Sequence, residues 1–171
     1  MKITGYLIMD RLDELKEQAQ GIDGQFKASL FQFADERNAR SDPRALMAEY
    51  EAIERNVAAL QEAQSAYNLR VPVTVNGELM TLERAVKLIG NANRAKNQWK
   101  SASQETANPY SPYGGQRQRD KENEYAERLV PIEEALQLSE EAGRRAAALK
   151  RAIRAGNATE VEIELDEALF A

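Results

Sequence analysis

The chain has no cysteine and no histidine. Without cysteine there are no disulfides, thiol nucleophiles, zinc thiolates or iron–sulfur clusters. The redox compartment stays open, because a disulfide-free chain suits either one. Without histidine the usual general base near neutral pH is missing, as is the commonest transition-metal ligand. Any catalysis would rest on carboxylates, Lys, Tyr, Ser or a hard metal. Aromatic residues make up only 6%, which argues against a large sandwich or barrel core. No stretch reaches the roughly 20 apolar residues that span a bilayer. Near the start, Asp10, Arg11 and Asp13 break the apolar patch before a signal-peptide core could form. The expectation is a cytoplasmic protein, or a virion component if phage-encoded, with no membrane span.

What is present is helical pattern. At 171 residues the length suits one domain. The apolar fraction of 43% can furnish a core, and the charged fraction of 30% suits exposed helical surface. A net charge of −5 argues against a surface that binds nucleic acid or anionic lipid all over. Three stretches repeat apolar residues at alternating spacings of three and four, the period of a helix seam. The first is Leu12, Leu15, Ala19, Ile22, Phe26 and Phe33. The second is Leu46, Tyr50, Ile53, Val57, Leu60 and Tyr67, with Gln64 in the stripe. The third is Tyr125, Leu129, Ile132 and Leu136, weakening through Ser139, Gly143 and Ala146 to Ile153.

The spacing predicts helices over about 4–37, 43–67, 82–100 and 131–155. Gly21 and Gly24 inside the first mark a kink or a close helix–helix approach. Asp42-Pro43 opens the second with an N-cap followed by proline at N1. Thr81 caps the third, which carries Leu82, Ala85, Val86, Leu88, Ile89, Ala92, Ala95 and Trp99. Pro131 either starts the fourth or kinks it. Arg144, Arg145, Lys150, Arg151 and Arg154 complement its dipole, and Gly156 supplies a left-handed cap. Between helices two and three, period two replaces period three-and-four. Val71, Val73 and Val75 alternate with Pro72 and Thr74, and Asn76-Gly77 is a strong hairpin signal. The hairpin covers 71–80. A strand over 159–165, alternating Val161, Ile163 and Leu165 with glutamates, is expected to join it as a third strand. Residues 101–119 hold two prolines, adjacent Gly114-Gly115 and no aliphatic residue beyond alanine. They read as a loop, long enough to be either disordered or functional.

The order of these pieces resembles the septicolysin-like family of small bacterial and phage-encoded proteins. The matching residues are Met1-Lys2-Ile3, Leu7-Ile8 and Arg11-Leu12, then residues 63–69 and Val75-Asn76-Gly77-Glu78 with Met80-Thr81-Leu82. Ile153 and Asn157-Ala158-Thr159-Glu160-Val161 complete the set. The resemblance covers most of the chain as topology more than identity, and the Pro-rich loop and Pro131 depart from it. It implies a helical fold with a small β element. It brings no family active site to transfer.

Two constellations invite chemistry. The acidic pairs Glu14/Glu17, Glu51/Glu54 and Glu124/Glu127 could hold Mg²⁺ if they met across two helices. They lie off the apolar seams, where a solvated face puts its charges, so no metal ligand, cofactor or catalytic residue is assigned. Residues 94–121 hold six cations, Arg94, Lys96, Lys100, Arg117, Arg119 and Lys121, against Glu105 and Asp120. Trp99, Tyr110 and Tyr113 are interleaved with them. Cations and aromatics together can grip single-stranded nucleic acid, bind an acidic protein surface, or simply solvate a loop whose rings pack back on the bundle.

The sequence therefore predicts a mainly α protein, an antiparallel long-helix bundle or coiled-coil hairpin array with a small two- or three-stranded antiparallel sheet. The favoured function is a non-catalytic structural protein that self-associates through its helical seams, a phage or mobile-element component. A protein partner could meet it through the loop at 101–119. The first alternative is a nucleic-acid-binding accessory protein using Arg94, Lys96, Lys100, Tyr110, Tyr113, Arg117, Arg119 and Lys121. The weakest is a Mg²⁺-dependent carboxylate enzyme.

Overall fold

The computed structural model describes residues 1–31, 41–105 and 128–170. The sequence expectations for residues 32–40 and 106–127 lie outside them. In chain order the elements are β1 (Lys2–Ile3), α1 (Gly5–Ser29), α2 (Pro43–Arg70), β2 (Pro72–Val75), β3 (Glu78–Thr81), α3 (Leu82–Gln104), α4 (Ile132–Asn157) and β4 (Val161–Glu162), with a final 3-10 turn at Glu167–Phe170. The chain is mainly α with small antiparallel strand pairs. It sorts into two compact units. The first is Met1–Ala85 with Ala152–Ala171, and the second is Val86–Arg151.

In the first unit the Thr4 side chain accepts the Leu7 backbone N–H at 3.3 Å and caps α1. Ile8, Leu12, Leu15, Ala19 and Ile22 form its buried line. Asp42 caps α2 by accepting the Arg44 N–H at 2.9 Å, with Pro43 in the first turn where its missing N–H costs nothing. Leu46, Ile53, Val57, Leu60, Ala63 and Tyr67 are buried along α2. The helices run antiparallel, because Gly5 at the start of α1 meets Tyr67 at the end of α2. Each fully buried Leu or Ile contributes about 1.5–3 kcal/mol, so this pair of stripes is the principal core. α1 ends at Ser29, short of the sequence expectation. The space around Gly21 and Gly24 is open to 4 Å, so neither marks a close helix approach.

Asn76 (φ 51°) and Gly77 (φ 87°) both take the left-handed conformation that a tight β-hairpin turn requires. The register pairs Val73 with Met80 and Val75 with Glu78. Val71, Val73, Val75 and Met80 are buried, while Leu79 on the other face is 70% exposed. The tail strand does not join this hairpin. Its Glu162 and Val161 pair with Lys2 and Ile3, so the described residues form two separate two-stranded sheets. Ile3 and Ile163 are both buried beside this pairing. The Ile163 N–H reaches the Met1 carbonyl at 3.0 Å. β4 is two residues long, shorter than the alternation over 159–165 suggested.

The close of α4 also differs from expectation. Gly156 lies within the helix, and the positive-φ residues among those described are Asn76 and Gly77 alone. Gly156 is needed for space. A Cβ there would lie 2.8 Å from Val73 Cγ1 and 3.0 Å from Leu82 Cδ1.

The second unit is a helical hairpin of α3 and α4. The Ser139 hydroxyl on α4 donates to the Lys96 carbonyl on α3 at 3.0 Å. About two turns farther on, at the end of α3, Arg128, just ahead of α4, donates to the Glu105 carbonyl at 2.9 Å and also to the Ala102 carbonyl. The two helices therefore run antiparallel. Pro131 sits one residue before α4, its carbonyl accepting the Ala135 N–H at 3.0 Å. It introduces no kink. The buried line along α4 is Ala135, Ser139, Ala146 and Leu149. The larger residues expected there are out: Leu129 is 91% exposed, and Ile132 and Leu136 are each 45% exposed. Small side chains let the two helices approach, and the bulky ones fall on the sides.

Candidate functional site

Three of the sequence-nominated residues are described, all on α3. Arg94 is exposed and donates to the Asn91 side-chain oxygen one turn earlier. Lys96 exposes its ammonium while its aliphatic stem lies over Gly143 of α4, with Cδ 3.6 Å from where a Cβ would stand. Lys100 is exposed, and Trp99 is half-buried. Tyr110, Tyr113, Arg117, Arg119 and Lys121 lie outside the described residues.

The hairpin does bring other features together. Residues 84–104 contain no Asp or Glu, and neither do residues 142–157. The antiparallel packing therefore sets Lys87 and Arg94 of α3 at the level of the basic half of α4, with Arg144, Arg145, Lys150 and Arg151. The sequence reading assigned those α4 cations to the helix dipole alone.

Between the helices runs an open groove of about 450 Å³, lined by Leu88, Asn91, Ala92 and Ala95 of α3 and Leu138, Glu141, Ala142 and Arg145 of α4. Each helix contributes positions i, i+3, i+4 and i+7, one continuous face of a helix. The alanines make the floor. Leu88 and Leu138 stand at opposite ends, because the helices run in opposite senses, and both remain half-buried. Glu141 and Arg145 are the charged members. Neither forms an ion pair among the described residues. Sequence reasoning missed this site because it took Leu88, Ala92 and Ala95 as ordinary core and did not single out Leu138 at all. The signal was there in the matched spacing of the two stripes.

A second, more polar depression lies on the α1–α2 pair, lined by Lys16, Ala19, Gln20, Asp23, Tyr50 and Glu54. The Glu54 carboxylate, with smaller contributions from burial and from Asp23, holds the Tyr50 phenol above its ordinary range. Glu14, Glu17, Glu51 and Glu54 are all exposed, and Glu14 is paired with Arg11 at 2.9 Å. Among the described residues no three carboxylates converge as a metal site would need. No helix among them is long and apolar enough to cross a membrane.

Comparison with known protein families, characterised proteins and solved structures returns no match to this chain.

Proposed function

We propose that this chain is a non-catalytic assembly protein that self-associates through the α3–α4 hairpin. The observation that carries this reading is the uncovered groove. Two facing helices each present an i, i+3, i+4, i+7 stripe, with Leu88, Ala92 and Ala95 on α3 and Leu138 and Ala142 on α4 as its apolar members beside Asn91, Glu141 and Arg145, and no other described element lines it. Two-helix layers bury such a face by stacking on another helical layer, as four-helix bundles do. The seam of α2 is buried within the chain against α1.

Light scattering on the purified protein tests this directly. The wild type should exceed the monomer mass at about 100 μM, and Leu88→Glu with Leu138→Glu should return it to monomer with helicity intact. A strictly monomeric wild type at that concentration sinks the reading.

The acid-free runs along both helices favour one other reading, a nucleic-acid-binding accessory role. Its mark is binding of a single-stranded oligonucleotide that weakens steeply with salt, because each phosphate contact releases a counterion. Loss of that binding on deletion of residues 108–115 would move the function to residues 94–121.

A further inference from the structure

The groove carries charge as well as apolar surface, and the charge is arranged to complement itself. Glu141 and Arg145 lie one turn apart on α4, on the groove face, and both are exposed. The ion pairs formed along α4 are elsewhere: Arg144 meets Glu140 at 3.8 Å on a neighbouring face. An acidic and a basic residue separated by one turn, left unpaired beside an apolar stripe, fit a surface that meets its own copy. In an isologous contact residue i of one copy touches residue j of the other, and j touches i.

Resting on the self-association reading above, we infer that the occupant of the groove is a second copy of this chain, docked about a two-fold axis that crosses α4 between Glu141 and Arg145. Glu141 of each copy then faces the partner's Arg145. The two α4 helices meet antiparallel, and so do the two α3 helices, giving four helices in which every neighbour runs in the opposite sense. Leu88 and Leu138 lose their remaining water on docking. Residues 142–157 hold no carboxylate and Glu140 is held by Arg144, which leaves Glu141 to meet the partner's Arg145. Because the contact is closed by its two-fold, association through this face stops at two copies.

A charge-swap cycle on the full chain, read by sedimentation equilibrium, tests the register. Both residues are exposed, so each variant should keep the wild-type circular dichroism. Glu141→Arg sets four cations at the axis, and Arg145→Glu sets four carboxylates there. Each meets itself twice across the two-fold and should weaken the dimer about tenfold or more. The double swap, Glu141→Arg with Arg145→Glu, should return the dissociation constant to within about threefold of wild type, because opposite charges face each other again. Wild-type association should also weaken as salt rises. The register is overturned if the single variants dimerise like wild type while Leu138→Glu abolishes dimerisation, or if the double swap is as weak as the singles. In those cases the groove still docks a copy, in another register. A wild-type chain that is monomeric throughout removes the self-association reading itself, and the register with it.

Discussion

The Tyr67 hydroxyl donates to the Gly156 carbonyl at 2.6 Å, joining the end of α2 to the last turn of α4. The Thr159 carbonyl lies at the same distance, so one proton is shared between two acceptors. Gly5 at the start of α1 packs against the same ring, where a Cβ would lie 2.9 Å from Tyr67 Cε1. One fully buried phenol thus gathers the start of α1, the end of α2 and the exit of α4 within the first unit.

Tyr67→Phe should cost about 1–3 kcal/mol, because two carbonyls are left sharing fewer donors in a buried place. The same substitution should change the response to alkali. Burial holds the Tyr67 phenol above its ordinary value of 10.0, partly offset by the Gly5 N–H, which favours the phenolate. A raised phenol keeps its stabilisation below pH 10 and loses it as pH climbs through the raised value. Wild type should therefore lose stability above about pH 10 more steeply than Tyr67→Phe. Denaturant titrations at pH 8 and above pH 10 measure this, and parallel losses in both proteins would contradict it.

Gly156→Ala should destabilise by about 1–3 kcal/mol, because the new methyl meets Val73 and Leu82 inside ordinary contact distance. Gly21→Ala makes the contrast. It sits in open space within α1, where alanine is the better helix former by up to about 1 kcal/mol. Thermal melts of the two variants should move in opposite directions.

Gly77→Val forces a β-branched residue to φ 87° in the hairpin turn. A cost of about 1–3 kcal/mol is expected. An unchanged melting temperature would show that the turn relaxes without penalty.

Arg128→Ala should loosen the last turn of α3. The guanidinium spans the Glu105, Ala102 and Val130 carbonyls, two of them at the end of α3, where a helix runs out of intrahelical donors. Amide exchange at the α3 terminus should speed up, with little change in global stability because the group is exposed. Arg128→Lys should rescue only partly, since an ammonium lacks the planar fork.

The parts of the fold built from large apolar side chains were legible in the sequence. Leu12, Leu15 and Ile22 on α1, and Ile53, Val57 and Leu60 on α2, stand out by size and spacing and are buried as their period implies. Asn76-Gly77 announces its turn because few other residues tolerate that backbone. The inner line of α4 was not legible, because Ala135 and Ser139 do not stand out beside Ile132 and Leu136. Close helix packing selects for smallness, which hydrophobic periodicity does not register. The β1–β4 pairing was hidden for another reason: two residues of β1 carry no period, and the alternation of the tail strand does not say which strand it meets. Gly156 read naturally as a helix stop, and only the positions of Val73 and Leu82 reveal that it is there for room. The groove was half legible. Its stripes are plain in the sequence, but whether a stripe is covered depends on what the fold places over it.

The first unit is discontinuous, made from Met1–Ala85 and Ala152–Ala171, whereas the second is one uninterrupted stretch. On a ribosome this separates their completion in time. α1, α2 and the hairpin emerge early with Tyr67, Val73 and Leu82 in place but without Gly156 to close on them. The first unit waits for the final segment, whose Ile163 must find Met1 across almost the whole chain. Truncation within Ala152–Ala171 should therefore be felt most by Met1–Ala85.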